Sequence, residues 1–364
     1  MLNIFCSPSR YVQGRNATDQ LGEQLVHLGL TGPALIVASA HVQSLLTKAW
    51  ENSLVAADIA YSIHTFGGEC TQVEITAGVS AAQTAAATVV IGAGGGKALD
   101  TARAIAAEAK LAVVNCPTLA SSDAPCSALS VVYFANGAVD RYLFYPTNPT
   151  LVLVDTTLVA HAPPRYLVAG MGDALATWFE ARSVIEARSP NQVGGTPTIT
   201  AGALAKLCCE TLYADGVDAL KAVGAKSVTP ALERVVEANT LLSGLGFESG
   251  GLAIAHSVHN GLTIAPETHA YLHGEKVAYG LLVQLVVEGR PDAEIDQAIE
   301  FCRAVGLPTT LADVGLVDID DALIAAIAER TVSPEETAHH EPFVVTATMI
   351  ADGIRATESI TMKK

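Results

Sequence analysis

The chain has 364 residues, half of them apolar and 16% charged, with a formal net charge of −16. That length suits two domains, and the composition fits a well-buried enzyme better than a disordered or solenoid chain; the acidic balance argues against a nucleic-acid or anionic-membrane surface, which needs clustered Lys and Arg. Seven cysteines without C-x-x-C spacing read as reduced thiols, and the lack of a signal pattern or a long apolar run makes a soluble, cytoplasmic protein the expectation.

Short β-branched runs alternate with alanine-rich helical patterns in the first part of the chain. Residues 34–38 precede a helix from about His41, residues 88–91 precede a helix after Lys97, and further strands are expected at 112–115 and 150–154. This is the pattern of a parallel sheet with crossover helices. After Pro163 and Pro164 the strand runs stop. Amphipathic helical patterns follow at 170–187, 198–214, 229–245, 251–262, 277–288, 293–305 and 319–329, with a last one from Thr346. The expected fold is therefore an α/β parallel-sheet domain over residues 1–162 and an all-helical domain over 163–364, with a ligand cleft between them.

Three features carry chemistry. Gly94, Gly95, Gly96 and Lys97 join a strand run to a helix, where backbone N–H groups and a helix N-terminus can cradle a phosphate. The stretch is neither G-x-G-x-x-G, since Lys97 occupies the third glycine's place, nor a Walker A loop, since Ala98 follows the lysine; a glycine-rich turn without a ligand fits equally well. Four of ten histidines (His256, His259, His269, His273) fall within eighteen residues, and His256 and His259 share a helix face. Asp173 opens an apolar helical pattern, where a carboxylate is usually an N-cap, yet an Asp/His/His set also suits a divalent metal with an open coordination position.

Together these motifs resemble the glycerol dehydrogenase branch of the iron-containing (group III) alcohol dehydrogenase superfamily. The resemblance runs through residues 66–70, 94–101, 117–131, 172–182, 247–252, 256–262 and 273–280, and rests most specifically on Ser122-Asp123-Ala124-Pro125-Cys126-Ser127 and His273-Gly274-Glu275-Lys276. It implies a dehydroquinate synthase-like fold, with the first domain binding the dinucleotide and the second the metal and substrate. It implies that Asp173, His256 and His273 hold one zinc ion and line the substrate site. Iron-type relatives add a histidine four residues after the aspartate; here that residue is Thr177, which favours zinc. By the same resemblance Gly94, Gly95, Gly96 and Lys97 surround the pyrophosphate of NAD. Thr118, Ser121, Ser127, Leu129 and Tyr133 line the adenine and nicotinamide path. Asp123 approaches the substrate hydroxyls, and His259 supports the site or relays a proton.

Ser39 departs from the family, whose members usually carry an aspartate there for the ribose hydroxyls. A serine does not repel a 2′-phosphate, so NADP becomes possible, although no Lys or Arg follows before Lys48 and NAD stays favoured. The function the resemblance implies is reversible oxidation of glycerol and related vicinal diols, glycerol yielding dihydroxyacetone. The alternative is an NADP(H)-preferring reductase of 2-oxo acids or aldehydes on the same scaffold. A homo-oligomer, possibly an octamer, is expected, with no nucleic-acid or membrane partner.

Overall fold

The computed structural model describes residues 1–135 and 137–362. Six parallel strands form one sheet in the order β1-β8-β5-β4-β2-β3: β1 (Arg10–Gly14), β2 (Ala34–Ala38), β3 (Tyr61–Thr65), β4 (Val89–Gly94), β5 (Ala112–Pro117) and β8 (Leu151–Asp155). The four inner strands are the apolar runs visible in the sequence. β1 and β3 lie at the edges, are only partly buried, and carry polar residues such as Gln13, Ser62 and His64, so they present no continuous apolar run to read.

A two-stranded antiparallel hairpin, β6 (Leu129–Tyr133) and β7 (Val139–Phe144), interrupts the alternation and is the largest element that the sequence pattern did not disclose. Its inner face, with Ser130 and Val132, is buried. Leu129, Val131 and Tyr133 stand on the other face, paired with Phe144, Tyr142 and Val139.

Helices α1 (Leu21–His27), α2 (Ala40–Ala56), α3 (Gln72–Thr84) and α4 (Gly96–Ala109) connect the strands. A short α5 (Thr156–His161) leads to α6 (Pro164–Ala187), α7 (Ile199–Gly224), α8 (Pro230–Glu237), α9 (Ser243–Gly250), α10 (Ile254–Leu262), α11 (His273–Val287), α12 (Asp292–Val305), α13 (Asp321–Thr331) and α14 (Ala347–Met362). Side-chain caps set several starts: Ser39, Thr71, Thr198, Thr229 and Asp320 each accept a bond from a backbone N–H three residues on. Among the described residues no helix is long and apolar enough to cross a membrane.

Two boundaries at the site correct the sequence reading, and away from it α7 runs ten residues beyond the expected 198–214. α6 begins at Pro164, with proline in its first turn, so Asp173 lies mid-helix and is not an N-cap. α11 begins at His273 rather than near Val277. In both cases glycines that read as breaks are packing residues inside a helix. A Cβ on Gly170 would lie 1.9 Å from the Ala120 carbonyl oxygen, one on Gly172 2.3 Å from the Gly274 carbonyl oxygen, and one on Gly274 1.8 Å from that of Ala169. Helices α6 and α11 therefore cross at backbone contact.

The sheet and the helices share interior. The largest apolar cluster joins Val152 and Val154 of β8 to Leu167, Met171, Leu175 and Phe179 of α6 and to Val277, Leu281 and Leu285 of α11. Burial of that seam holds the loops beyond the carboxyl ends of β4 and β5 against the first turns of α6 and α11, which is where the candidate site forms.

Candidate active site

At the cofactor end, β4 runs through Gly94 (φ +153°) into Gly95, the N-cap of α4, which makes no side-chain capping bond. The first-turn N–H groups of α4 thus have no capping side chain over them. A Cβ on Gly95 would come no closer than 3.5 Å to Leu119, and one on Gly96 3.9 Å to Ser122, so the space above the loop is open enough for a phosphate. The Gly94 carbonyl accepts from Thr118 N at 3.0 Å, fixing the loop beyond β5 beside the glycines.

Lys97 pairs with Glu69 and stands 5.1 Å from the centre of the Tyr133 ring. Thr118 and Ser121 lie on the β5 loop, and Leu129 and Tyr133 on the outward hairpin face. Ser127 is different: it is fully buried and its hydroxyl donates to the Ala124 carbonyl at 3.0 Å, so that hydroxyl does not face a cleft. Ser39 directly follows β2 and is committed to capping α2, its hydroxyl accepting from Val42 N at 3.3 Å.

At the other end, three helices converge. Asp173 on α6, His256 on α10 and His273 at the first position of α11 place one ligand atom each within 4.8 Å of one another. Asp173 is completely buried. Its Oδ2 accepts from Asp123 N at 3.2 Å, whereas its Oδ1 has no hydrogen-bond partner and lies 3.1 Å from His273 Nε2 and 3.5 Å from His256 Nε2. A buried carboxylate oxygen left bare between two imidazole nitrogens is costly unless a cation completes it, so the donor set fits a divalent metal.

The outer bonds set the ring orientations. His256 Nδ1 is 2.6 Å from Glu180 Oε2, and Glu180 Oε1 also accepts from the N–H groups of Ala253 and His256. An ionised carboxylate only accepts, so Nδ1 carries the proton and Nε2 offers its lone pair inward. His273 Nδ1 lies 3.0 Å from His259 Nε2, and His259 Nδ1 lies 3.0 Å from Asn260 Oδ1. Asn260 Nδ2 in turn donates to both oxygens of Glu336. The amide oxygen fixes the His259 tautomer, so His259 Nε2 accepts from His273 Nδ1 and leaves His273 Nε2 bare toward Asp173.

The ligand side chains also balance one another's charge. Burial works against the Asp173 anion, but His273 and His256 outweigh it and hold its carboxyl well below the usual range. Burial also disfavours a His256 cation, yet Glu180 and Asp173 raise it well above an ordinary imidazole. Burial, with His273, Lys276 and His256, depresses His259, keeping it neutral. Asp123 is pushed up by burial and by Asp173.

The structure thus brings Asp123, Asp173, His256, His259 and His273 together. It leaves His269 apart, bonded to the Thr263 carbonyl at 2.9 Å. Thr177, one turn after Asp173, packs under α9: a Cβ on Gly246 would sit 2.6 Å from its Cγ2. Glu180, Asn260 and Glu336 were not singled out from sequence. Glu180 had a signal, since it follows Asp173 by seven residues and so shares its helix face; Glu336 had none.

Known proteins agree with this architecture. A model of the iron-containing alcohol dehydrogenase family matches residues 8–156. The glycerol dehydrogenase of Thermotoga maritima is 50% identical over 98% of this chain and 97% of its own length. The glycolaldehyde reductase of Halobacterium salinarum is 49% identical over 97% and 96%. The crystal structure of glycerol dehydrogenase from Schizosaccharomyces pombe superimposes with a TM-score of 0.96 at 39% identity, covering 99% of this chain and 91% of that one. With a buried Asp/His/His triad beside a glycine-lined helix N-terminus, and with relatives of this identity over nearly its whole length, the chain belongs to the glycerol dehydrogenase branch of the iron-containing alcohol dehydrogenases, oxidoreductases that act on a CH–OH group.

Proposed function

We propose that this chain catalyses the reversible oxidation of glycerol and related vicinal diols, glycerol yielding dihydroxyacetone, with NAD as hydride acceptor and one zinc ion per subunit. The observation that carries this reading is the bare, buried Oδ1 of Asp173 facing the inward nitrogens of His256 and His273. When bound there, a divalent metal supplies Lewis acidity toward an alcohol oxygen, and the nicotinamide takes the hydride. Three protein ligands, with Thr177 in place of a fourth, favour zinc over iron because they leave a position for substrate.

The remaining work falls to the chain's own groups. The N–H groups at Gly95, Gly96 and Lys97 hold the pyrophosphate, and Leu129 and Tyr133 give the dinucleotide an apolar face on the hairpin. Tyr142 and Phe144, opposite Val131 and Leu129, extend that face and were not foreseen from sequence. Asp123 receives the hydroxyl of the diol that does not react. His259 holds the His273 ring, its Nε2 accepting from His273 Nδ1, which is the supporting role of the two that the resemblance implies. The enclosure of Asp173 and Asp123 excludes water from the reacting carbon.

Ser39 neither repels a 2′-phosphate nor stands near a sequence-adjacent cation to attract one, so NAD is preferred by a modest margin. The test is a spectrophotometric assay of zinc-loaded protein with NAD or NADP against glycerol, 1,2-propanediol, glycolaldehyde and a 2-oxo acid. Glycerol-dependent NADH formation is expected. Its absence with every metal, or faster turnover of a 2-oxo acid with NADPH, sinks the reading. Ser39→Asp is expected to raise the NAD to NADP ratio; an unchanged ratio removes Ser39 from cofactor choice.

A further inference from the structure

Threonines inside the helices of this protein commonly return their hydroxyls to the carbonyl four residues back, as Thr101, Thr331 and Thr357 do at 2.8 Å. Thr177 is an exception. Its Oγ1 lies 2.8 Å from Ser243 Oγ, and Ser243 Oγ donates to Asp123 Oδ2 at 3.1 Å. A hydroxyl has one proton, and Asp123 takes that of Ser243, so Thr177 must donate to Ser243. The result is a one-way chain from α6, through the first residue of α9, to the carboxyl group beside the metal ligands.

All three members are shielded from water, Thr177 and Ser243 completely and Asp123 to 7% exposure. Packing fixes the spacing as well. A Cβ on Gly244 would come within 3.0 Å of the Asp123 carbonyl oxygen and of Cys126 Cβ, so α9 is pressed against the loop that carries Asp123. That loop is already tied to the metal site through Asp123 N and Asp173 Oδ2. The backbone bond fixes where Asp123 sits, and the Ser243 bond fixes how its carboxyl plane is turned.

We propose that Ser243, backed by Thr177, is a positioning residue that turns the Asp123 carboxyl group to receive the non-reacting hydroxyl of a polyol. The inference rests on the polyol reading above and adds to it a determinant of diol affinity that touches neither substrate nor metal. A side chain that merely filled space would be replaced by alanine or valine without a selective effect on substrate binding.

The test uses full-length, zinc-loaded protein. Ser243→Ala is expected to raise the KM for glycerol, and the calorimetric Kd of glycerol for the NADH complex, by roughly tenfold, the loss of one hydrogen bond. Zinc content, the Kd of NADH and kcat (within about threefold) should hold. Thr177→Val should shift affinity the same way by less, and Thr177→Ser, which keeps the hydroxyl, should restore it. An unchanged glycerol affinity in Ser243→Ala overturns the proposal, as does a joint loss of zinc, kcat and affinity, or a Thr177→Ser variant no better than Thr177→Val. Wild-type protein that neither binds nor oxidises glycerol overturns the polyol reading as well; wild-type protein that does both, beside an indifferent Ser243→Ala, overturns this proposal alone.

Discussion

The two ends of the candidate active site are built by opposite means. The cofactor end is local: one strand, three glycines and one helix start, contiguous in sequence, partly open to solvent, and bonded mainly through backbone groups. The metal end is assembled from three helices whose ligands lie at positions 173, 256 and 273, and its central carboxylate is wholly buried. A contiguous loop carries its geometry in its own φ and ψ angles. A dispersed triad borrows its geometry from how helices cross, so it depends on packing and on outer hydrogen bonds that the loop does not need.

The comparison breaks most readily at the triad. Asp173→Asn is expected to abolish both turnover and bound zinc, because the amide offers no charge and puts an N–H into the ligand cluster; metal analysis beside kcat checks it, and a fully active, metal-replete variant refutes the ligand assignment. Next in size is Glu180→Gln, which leaves the ligands intact but frees the His256 ring; zinc affinity should fall about 10–100-fold in a competitive chelator titration. A negligible change would mean that the triad is as self-sufficient as the glycine loop.

At the other end, Gly95→Ala should fold normally, since its Cβ meets Leu119 only at 3.5 Å. It intrudes where the phosphate would approach and should raise the KM for NAD about tenfold, equivalent to ~1.4 kcal/mol, with zinc content unchanged. Loss of zinc in that variant would show that the two ends are not independent.

The smallest effect concerns a group outside both ends. Glu341 is buried with neither carboxylate oxygen bonded. Burial, then Glu288 and Glu180, push its pKa up to about 9. The folded state therefore binds a proton that the unfolded state releases near the ordinary glutamate value, and stability falls as pH rises between those two values. Glu341→Gln should remove that slope. Its Tm should match wild type near pH 4 and exceed it at pH 8, by on the order of 3 °C for each kcal/mol regained. A lower Tm at pH 8 would show that Glu341 is paired after all.

How much of this was legible in the sequence follows the same division. The buried strands β2, β4, β5 and β8 were readable because a parallel sheet covered on both faces demands continuous apolar runs. Edge strands β1 and β3 and the β6–β7 hairpin carry mixed polarity and were not. Glycines misled where they serve packing: Gly170 and Gly172 suggested a helix start, and so an N-cap role for Asp173, although α6 begins six residues before the first of them. The triad was legible through family motifs; spacing alone left it open. The supports supplied by Glu336, Asn260 and Ser243 come from elements distant in sequence, and no local pattern encodes them.

The crossing of α6 and α11 at Gly172 and Gly274 has a thermodynamic corollary. Because those helices meet backbone to backbone, the distance from Asp173 to His273 is set by the helix axes and not by flexible side chains that could loosen one at a time. Warming or denaturant has no gradual way to widen the site. Release of metal and loss of helical structure should then occur in a single transition, with the same midpoint by zinc-indicator absorbance and by far-ultraviolet circular dichroism.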